Sequence, residues 1–285
     1  MRVNMLVNTL KPEAVAGAAA AVKFLKARSV EVGSTPDCSS LIDALPVSRD
    51  KLAAADLVTT FGGDGTVLHA AQLCSELGTP ILGVHFGRFG FVTLCAPNQV
   101  PEYLGSFLEG KGFFDERMML RTDLIRSGSV VTTLHCLNET VMQRSSSGTM
   151  LNVRVSVNGL ELTSYPADGV MVSTPTGSTG YNLSSGGPIL HPGLNAMILT
   201  AVSPHTLSAR PLLLETSSTV SLELQTSGDA AISVDGMSKI HLFQDDRVDV
   251  TKSSRVTKLF AMDHSDFLRK LSDRLFWSKG MNYGN

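Results

Sequence analysis

Cysteine is scarce in this chain: Cys38, Cys74, Cys95 and Cys136 are the four in 285 residues, and no two form a C-x-x-C pair. That spacing excludes a disulfide-stapled framework and supplies no zinc-finger ligand set. Cys74 and Cys95 sit among apolar neighbours, so buried free thiols in a reducing cytoplasm are expected. The seven histidines are scattered without metal-ligand spacing, and no protein-built metal site is expected. No apolar run approaches the roughly 18 residues needed to cross a bilayer, which argues against a membrane partner. The short Ala-rich segment 14–22 lies between Lys11 and the trio Lys23, Lys26 and Arg28; those flanks suit a helix better than a secretory signal. A formal charge of −2 leaves no basic excess for nucleic acid. Internal repeats and low-complexity tracts are missing too. So is G-x-x-x-x-G-K with a following Ser or Thr, which excludes a P-loop nucleotidase. Leu68 stands where G-x-G-x-x-G would need its third glycine, so an oxidoreductase-type dinucleotide turn is excluded as well.

What is present reads as an ordinary globular protein, 43% hydrophobic and 18% charged, long enough for two domains. Strands are predicted at 3–7, weakly at 30–32, at 57–61 and at 80–84. Helices are predicted from Pro12 (with Asn8-Thr9 as turn and cap), near 41–45, over 67–73 and over 101–108. This alternation predicts an open, mostly parallel α/β sheet. After about residue 116 short alternating strands take over. Asn158-Gly159 gives a hairpin signal, and Ser127-Gly128 and Asp245-Asp246 read as further turns. An all-β sandwich is expected there. The segment 266–277 turns helical again, with Phe267, Leu268, Leu271, Leu275 and Phe276 on one face; it is expected to pack back on the first domain. The expected division is residues 1–116 with 262–285 as an α/β phosphate-donor domain, and 117–261 as an all-β domain.

Three stretches carry chemistry. The buried strand 57–61 runs into Gly62-Gly63-Asp64-Gly65-Thr66 and then a helix, which aims unpaired backbone N–H groups and a helix dipole at one spot. A carboxylate in such an anion nest repels phosphate unless it binds a metal or takes a proton; the plain alternative is a tight turn with a capping Asp. A second glycine-punctuated turn, Gly87-Arg88-Phe89-Gly90-Phe91, follows strand 80–84 and is placed at the same sheet edge, where ligands of open α/β sheets bind. Residues 168–188 form the densest polar stretch, hydroxyls and glycines with Tyr181 as a stacking face; a plain hydroxyl-rich loop is the alternative. Asn138-Glu139, beside Leu137, pairs an amide with a carboxylate that together can clasp a cis-diol. His205 and Arg210 could contact an anion or be structural.

Together these pieces resemble the NAD kinase family. The resemblance rests on Gly62-Gly63-Asp64-Gly65-Thr66, Asn138-Glu139, Asp168-Gly169 with Ser173 to Tyr181, His205 with Arg210-Pro211, Val234-Asp235-Gly236, and the closing Phe267-Leu268-Arg269-Lys270-Leu271 with Trp277. It spans essentially the whole chain in order. It implies transfer of a phosphoryl group from ATP or polyphosphate, with a divalent cation such as Mg²⁺, to the adenosine ribose 2′-hydroxyl of NAD, giving NADP. Asp64 would be the proton acceptor, and Gly62, Gly63, Gly65 and Thr66 would hold the donor phosphates. The dinucleotide would be bound by Asp64, Gly65, His69, Asn138, Glu139, Asp168, Thr176, Ser178, Thr179, Gly180, Tyr181, Asn182, Leu183, Ser184, Ser203 and Asp235. A homodimer or homotetramer in the cytoplasm is implied, with no nucleic-acid or membrane partner. Four positions depart from the family's usual residues: His85 for Asn, Phe89 for Leu, Gly180 for Ala and His69 for a frequent Arg. Two alternatives share some features: a GGDG lipid kinase of the diacylglycerol or sphingosine type, and a silent NAD(P)-binding sensor.

Overall fold

The computed structural model of the chain describes residues 1–87, 90–145, 150–225, 229–263 and 266–274. Arg88 and Phe89 of the second glycine turn, and Leu275, Phe276 and Trp277 of the closing segment, lie outside the described residues. The chain divides into two compact units, Met1–Glu116 with Thr257–Asn285, and Arg117–Val256.

In the first unit the predicted alternation holds. In order come β1 (Arg2–Val7), α1 (Pro12–Lys26), β2 (Glu31–Ser34), α2 (Pro36–Ile42), β3 (Leu45–Pro46), β4 (Leu57–Gly62), α3 (Asp64–Cys74), β5 (Ile81–His85) and α4 (Val100–Leu108). The strands pair in parallel in the order β3-β2-β1-β4-β5. Because helices cover both faces of such a sheet, its central strand has no wet side. All six residues of β4 are accordingly buried, and Leu57 and Phe61 pack with Val3, Met5, Ala18 and Leu25 in one core. Each large apolar side chain buried this way contributes about 1.5–3 kcal/mol.

Helix boundaries differ from the sequence-based expectation in three places. Asn8-Thr9 do not cap α1: Lys11 is its N-cap, while Asn8 Oδ1 accepts the Leu10 N–H at 3.1 Å. The short helix falls at Pro36–Ile42 rather than 41–45, because Pro36 presets the first helical φ and Asp43 ends it in left-handed backbone. Helix α3 begins at Asp64 itself, with Gly63 as its extended N-cap. An acidic residue in the first turn favours that earlier start by facing the positive end of the helix dipole.

The second unit is built of antiparallel strands: β6 (Phe113–Arg126), β7 (Ser129–Cys136), β8 (Glu139–Arg144), β9 (Leu151–Val157), β10 (Leu160–Ala167), β11 (Gly169–Ser173), β12 (Ala196–Val202), β13 (Leu212–Glu215), β14 (Val220–Leu224), β15 (Ala230–Val234), β16 (Ser238–Leu242) and β17 (Arg247–Ala261). A four-residue helix, α5 (Tyr181–Ser184), lies between β11 and β12. One sheet runs β13-β12-β11-β8-β15-β16; in the facing layer β10-β9-β14-β17 are hydrogen-bonded in series. Alternate residues Leu151, Val153 and Val155 of β9 turn inward onto Val170 and Val172 of β11, the pattern of a sheet with one face dry. Ser127-Gly128 and Asn158-Gly159 both adopt left-handed backbone, as two-residue hairpin turns require. The fold class is therefore the one expected: an α/β unit with a mostly parallel sheet, and a β-sandwich. The last strand, β17, enters the first unit at its C-terminal end, where Leu259 pairs in parallel with Ile81. Helix α6 (Asp266–Arg274) follows in the same unit, burying Lys270 and Leu271, with the Phe267 ring 6.5 Å from that of Phe91. Among the described residues no helix is long and apolar enough to cross a membrane.

Candidate active site

The first unit brings its chemistry to the end of β4. Hydrogen bonding fixes the turn: Asn8 N–H donates to Phe61 O (2.9 Å), Phe86 N–H to Gly62 O (2.6 Å), and Lys11 Nζ to Phe86 O (2.7 Å). None of Gly62, Gly63 and Gly65 adopts left-handed backbone, so conformational freedom does not account for them. Close packing accounts for one. A Cβ on Gly62 would overlap Thr66 Oγ1, whereas a Cβ on Gly63 or Gly65 would meet nothing within 4 Å. Those two glycines leave bare backbone facing open space at a helix N-terminus, which is what an arriving phosphate needs.

Asp64 is not left free in that nest. Its Oδ2 accepts the Phe91 N–H at 2.8 Å, and its Oδ1 accepts those of Val92 (3.3 Å) and Thr93 (3.1 Å). The fit is tight enough that any side chain at Gly90 would overlap the carboxylate. Around this seat, burial and the Lys270 charge hold His85 below the ordinary histidine value, while the Asp64 charge opposes them. One turn along α3, His69 accepts a hydrogen bond from Arg49 Nε at 3.1 Å. Burial, and then the Arg49 charge, push its pKa down. His69 is therefore neutral near pH 7, and the positive charge there belongs to Arg49.

In the second unit the hydroxyl-rich stretch folds over the start of β8. Thr174 Oγ1 donates to Leu137 O (2.6 Å), its N–H donates to Asn138 O (2.8 Å), and Ser173 Oγ donates to Asn138 O (3.2 Å). The Asp235 carboxylate accepts the N–H groups of Leu137 (3.0 Å), Asn138 (2.7 Å) and Glu139 (3.4 Å). The backbone of 137–139 is thus clamped from two sides. The side chains it presents are not satisfied: Asn138 Oδ1 and Glu139 Oε2 are buried without a hydrogen-bond partner among the described residues. Glu139 is 7% exposed. Burial, with the Asp235 charge second, raises its pKa to about 8. Gly180 borders the same place, since a Cβ there would lie 3.6 Å from both Asn138 Nδ2 and Glu139 Oε2. Two adjacent buried acceptors beside a glycine form a receptor for paired hydroxyl donors.

The other residues expected at the site divide into two groups. Ser178 and Asn182 are fully buried and spent on the loop itself. Ser178 Oγ donates to Pro175 O (2.6 Å) and accepts the Leu190 N–H (2.9 Å); Asn182 Nδ2 donates to Ser178 O and Pro188 O, and its Oδ1 accepts from Thr200 Oγ1 (2.8 Å). Asp235 likewise spends its carboxylate on backbone. Tyr181, Ser184 and Ser203 are exposed and Leu183 half-buried. Burial, then the nearby charges of Asp168 and Glu139, raise the Tyr181 pKa. Asp168 pairs with Arg144, Nε to Oδ1 3.1 Å. Thr176 is buried and accepts from Arg117 Nη1 at 3.4 Å, and Thr179 Oγ1 donates to Thr176 O. Arg210 donates to Leu207 O and Ala209 O in its own exposed turn. Sequence reasoning missed Arg49, Arg117 and Arg144, single basic residues whose partners lie 20, 59 and 24 positions away, and named Lys270 only as part of the closing motif, without a role. All four cysteines are buried and free.

Two family models match this chain: the ATP-NAD kinase N-terminal domain over residues 43–112 and the ATP-NAD kinase C-terminal domain over 137–262. The chain is 37% identical over 275 residues to the NAD kinase of Citrifermentans bemidjiense, covering 94% of this chain and 96% of that one. It is 36% identical over 276 residues to the NAD kinase of Heliobacterium modesticaldum, covering 96% and 98%. Among solved structures, yeast NADH kinase complexed with NADH matches with a TM-score of 0.93 at 25% identity, covering 100% of this chain and 90% of that one. An NAD kinase from Archaeoglobus fulgidus in complex with ATP shares the fold, with a TM-score of 0.77 at 23% identity and coverage of 97% and 99%.

Proposed function

This chain belongs to the NAD kinase family, and on that premise we propose how its residues divide the work. The protein is a phosphotransferase that converts NAD to NADP. Neither the lipid-kinase nor the silent-sensor alternative is supported, since both halves match NAD kinase models.

Asn138 Oδ1 and Glu139 Oε2 carry the acceptor assignment. Buried oxygens with nothing to accept from cost free energy until a donor arrives, and the hydroxyls of a ribose are such donors. Tyr181 offers a ring face, Thr176, Thr179 and Ser184 offer hydroxyls, and Gly180 leaves room beside Glu139. Ser178, Asn182 and Asp235 support this surface from behind.

On the donor side, the bare backbone at Gly63 and Gly65 and the first turn of α3 receive phosphate, with Thr66 closing the turn. ATP is the proposed donor. A divalent cation would accompany the donor phosphates, as Mg²⁺ does at phosphoryl-transfer sites, and would offset the charge on the transferring group. Asp64 accepts the proton of the ribose 2′-hydroxyl as that oxygen bonds to the γ-phosphorus and the bond to the departing ADP breaks. A placed base of this kind accounts for roughly 10²–10⁴-fold in rate; the rest comes from alignment and charge stabilisation. A homodimer or homotetramer working in the cytoplasm completes the proposal, and sedimentation of the purified chain tests the assembly state. Incubating the purified protein with NAD and MgATP, with NADP as the readout, tests the reaction. Phosphorylation elsewhere on NAD, or none, would remove it.

A further inference from the structure

Helix α6 carries a lysine that the reaction scheme above does not use, in a place where lysine is seldom found. Lys270 is 6% exposed, and its Nζ donates to Thr93 O at 2.6 Å. An ammonium group is the side chain least readily taken out of water, and buried lysines persist only with partners. Its target is telling. Thr93 is the residue whose N–H, with those of Phe91 and Val92, holds the Asp64 carboxylate. The ring of Phe267, one turn back on α6, lies 6.5 Å from that of Phe91 at the other end of the same tripeptide. The last helix therefore grips both ends of the segment that seats Asp64, one end by a charge-assisted hydrogen bond and the other by an aromatic contact.

We propose that Lys270 is a positioning residue for Asp64, fixing the 91–93 amide seat and thereby the direction of the reacting carboxylate. The proposal rests on the reading of Asp64 as the general base. The amide donors hold both Asp64 oxygens in one place. His85 of β5 feels both charges: that of Lys270, after burial, lowers its pKa, and that of Asp64 raises it. Letting the seat loosen costs alignment of the reacting carboxylate.

The test uses the full-length chain with Lys270→Met, Lys270→Gln and Lys270→Arg, measured against Asp64→Asn. For Lys270→Met the expected kcat loss is about 10-fold or more, because small misplacements of a reacting group are costly, with KM for NAD within about 2-fold. Lys270→Arg, which keeps charge and donors, restores kcat; Lys270→Gln, which keeps a donor only, falls between. A merely structural lysine predicts otherwise: activity lost in proportion to folded protein, with kcat per folded molecule unchanged in all three variants. That result overturns the proposal, as does full kcat in Lys270→Met. Should Lys270→Met fail to fold, kcat per folded molecule in the Gln variant, with its recovery in the Arg variant, decides by the same criterion. Near-normal turnover in Asp64→Asn would instead remove the base assignment itself, and is read separately.

Discussion

Asp64 and Glu139 are each the first residue of an element, α3 in one unit and β8 in the other, yet their surroundings are opposites. Both Asp64 oxygens accept backbone N–H groups, whereas Glu139 has one oxygen buried with no donor and a pKa near 8. A carboxylate seated by amides is held in place, with lone pairs to spare for a proton in flight. A carboxylate starved of donors is unsettled until a ligand supplies them. The contrast separates a group built to react from one built to bind.

Removing the reacting group should have the largest effect. Asp64→Asn is expected to lower kcat at least 100-fold, on the estimate for a general base, with NAD binding largely kept; turnover at saturating NAD and MgATP checks it. Near-wild-type turnover would erase the contrast from the Asp64 side. Glu139→Gln comes next and should act on binding: KM for NAD up roughly 10-fold, the worth of one or two hydrogen bonds, with kcat changed far less. The same variant should gain stability at alkaline pH. The folded-state pKa of Glu139, about 8, lies above the ordinary value of 4.5, so its contribution is fully present below pH 4.5 and is lost as pH rises through 8. Melting at pH 8–9 without NAD should therefore favour the Gln variant, by about 1–2 kcal/mol on the usual scale of site-relief substitutions. Lower stability there would mean Glu139 has donors after all.

Ser178→Ala sharpens the line between contact and support. By sequence alone Ser178 is expected to touch the dinucleotide; its hydroxyl is instead committed to Pro175 O and the Leu190 N–H. The expected loss is about 1–3 kcal/mol of stability, read by denaturant unfolding, with KM for NAD nearly unchanged, while Thr176→Ala and Ser184→Ala raise KM. Gly65→Ala should change least in the fold. Nothing lies within 4 Å of a Cβ there, so melting stays level or rises by about 0.5–1 kcal/mol, as for Gly to Ala in a helix. KM for the donor should rise about 10-fold. A drop in stability with unchanged KM would place Gly65 in packing instead.

Much of this was legible in the chain. The run 57–61, with β-branched Val58, Thr59 and Thr60 between Leu57 and Phe61, reads as a strand buried on both faces because it has no charged side to give to water. The alternation of 153–157 ahead of Asn158-Gly159 could only be one arm of a hairpin with one dry face. Family resemblance supplied the names of the site residues. It could not say which of the hydroxyls in 168–188 face outward, since serines and asparagines look alike in sequence whether they cap a loop or meet a ligand. Nor could local pattern give Lys270, named only within the closing motif, its partner, a carbonyl 177 positions away.

The sequence by itself determined the elements, their order and the two sheet types, because hydrophobic periodicity and turn chemistry act over a few neighbouring residues. Tertiary structure alone decided which polar atoms were consumed and which were left wanting. That choice depends on groups far apart in the chain meeting out of reach of water, where every buried donor or acceptor without a partner carries a cost.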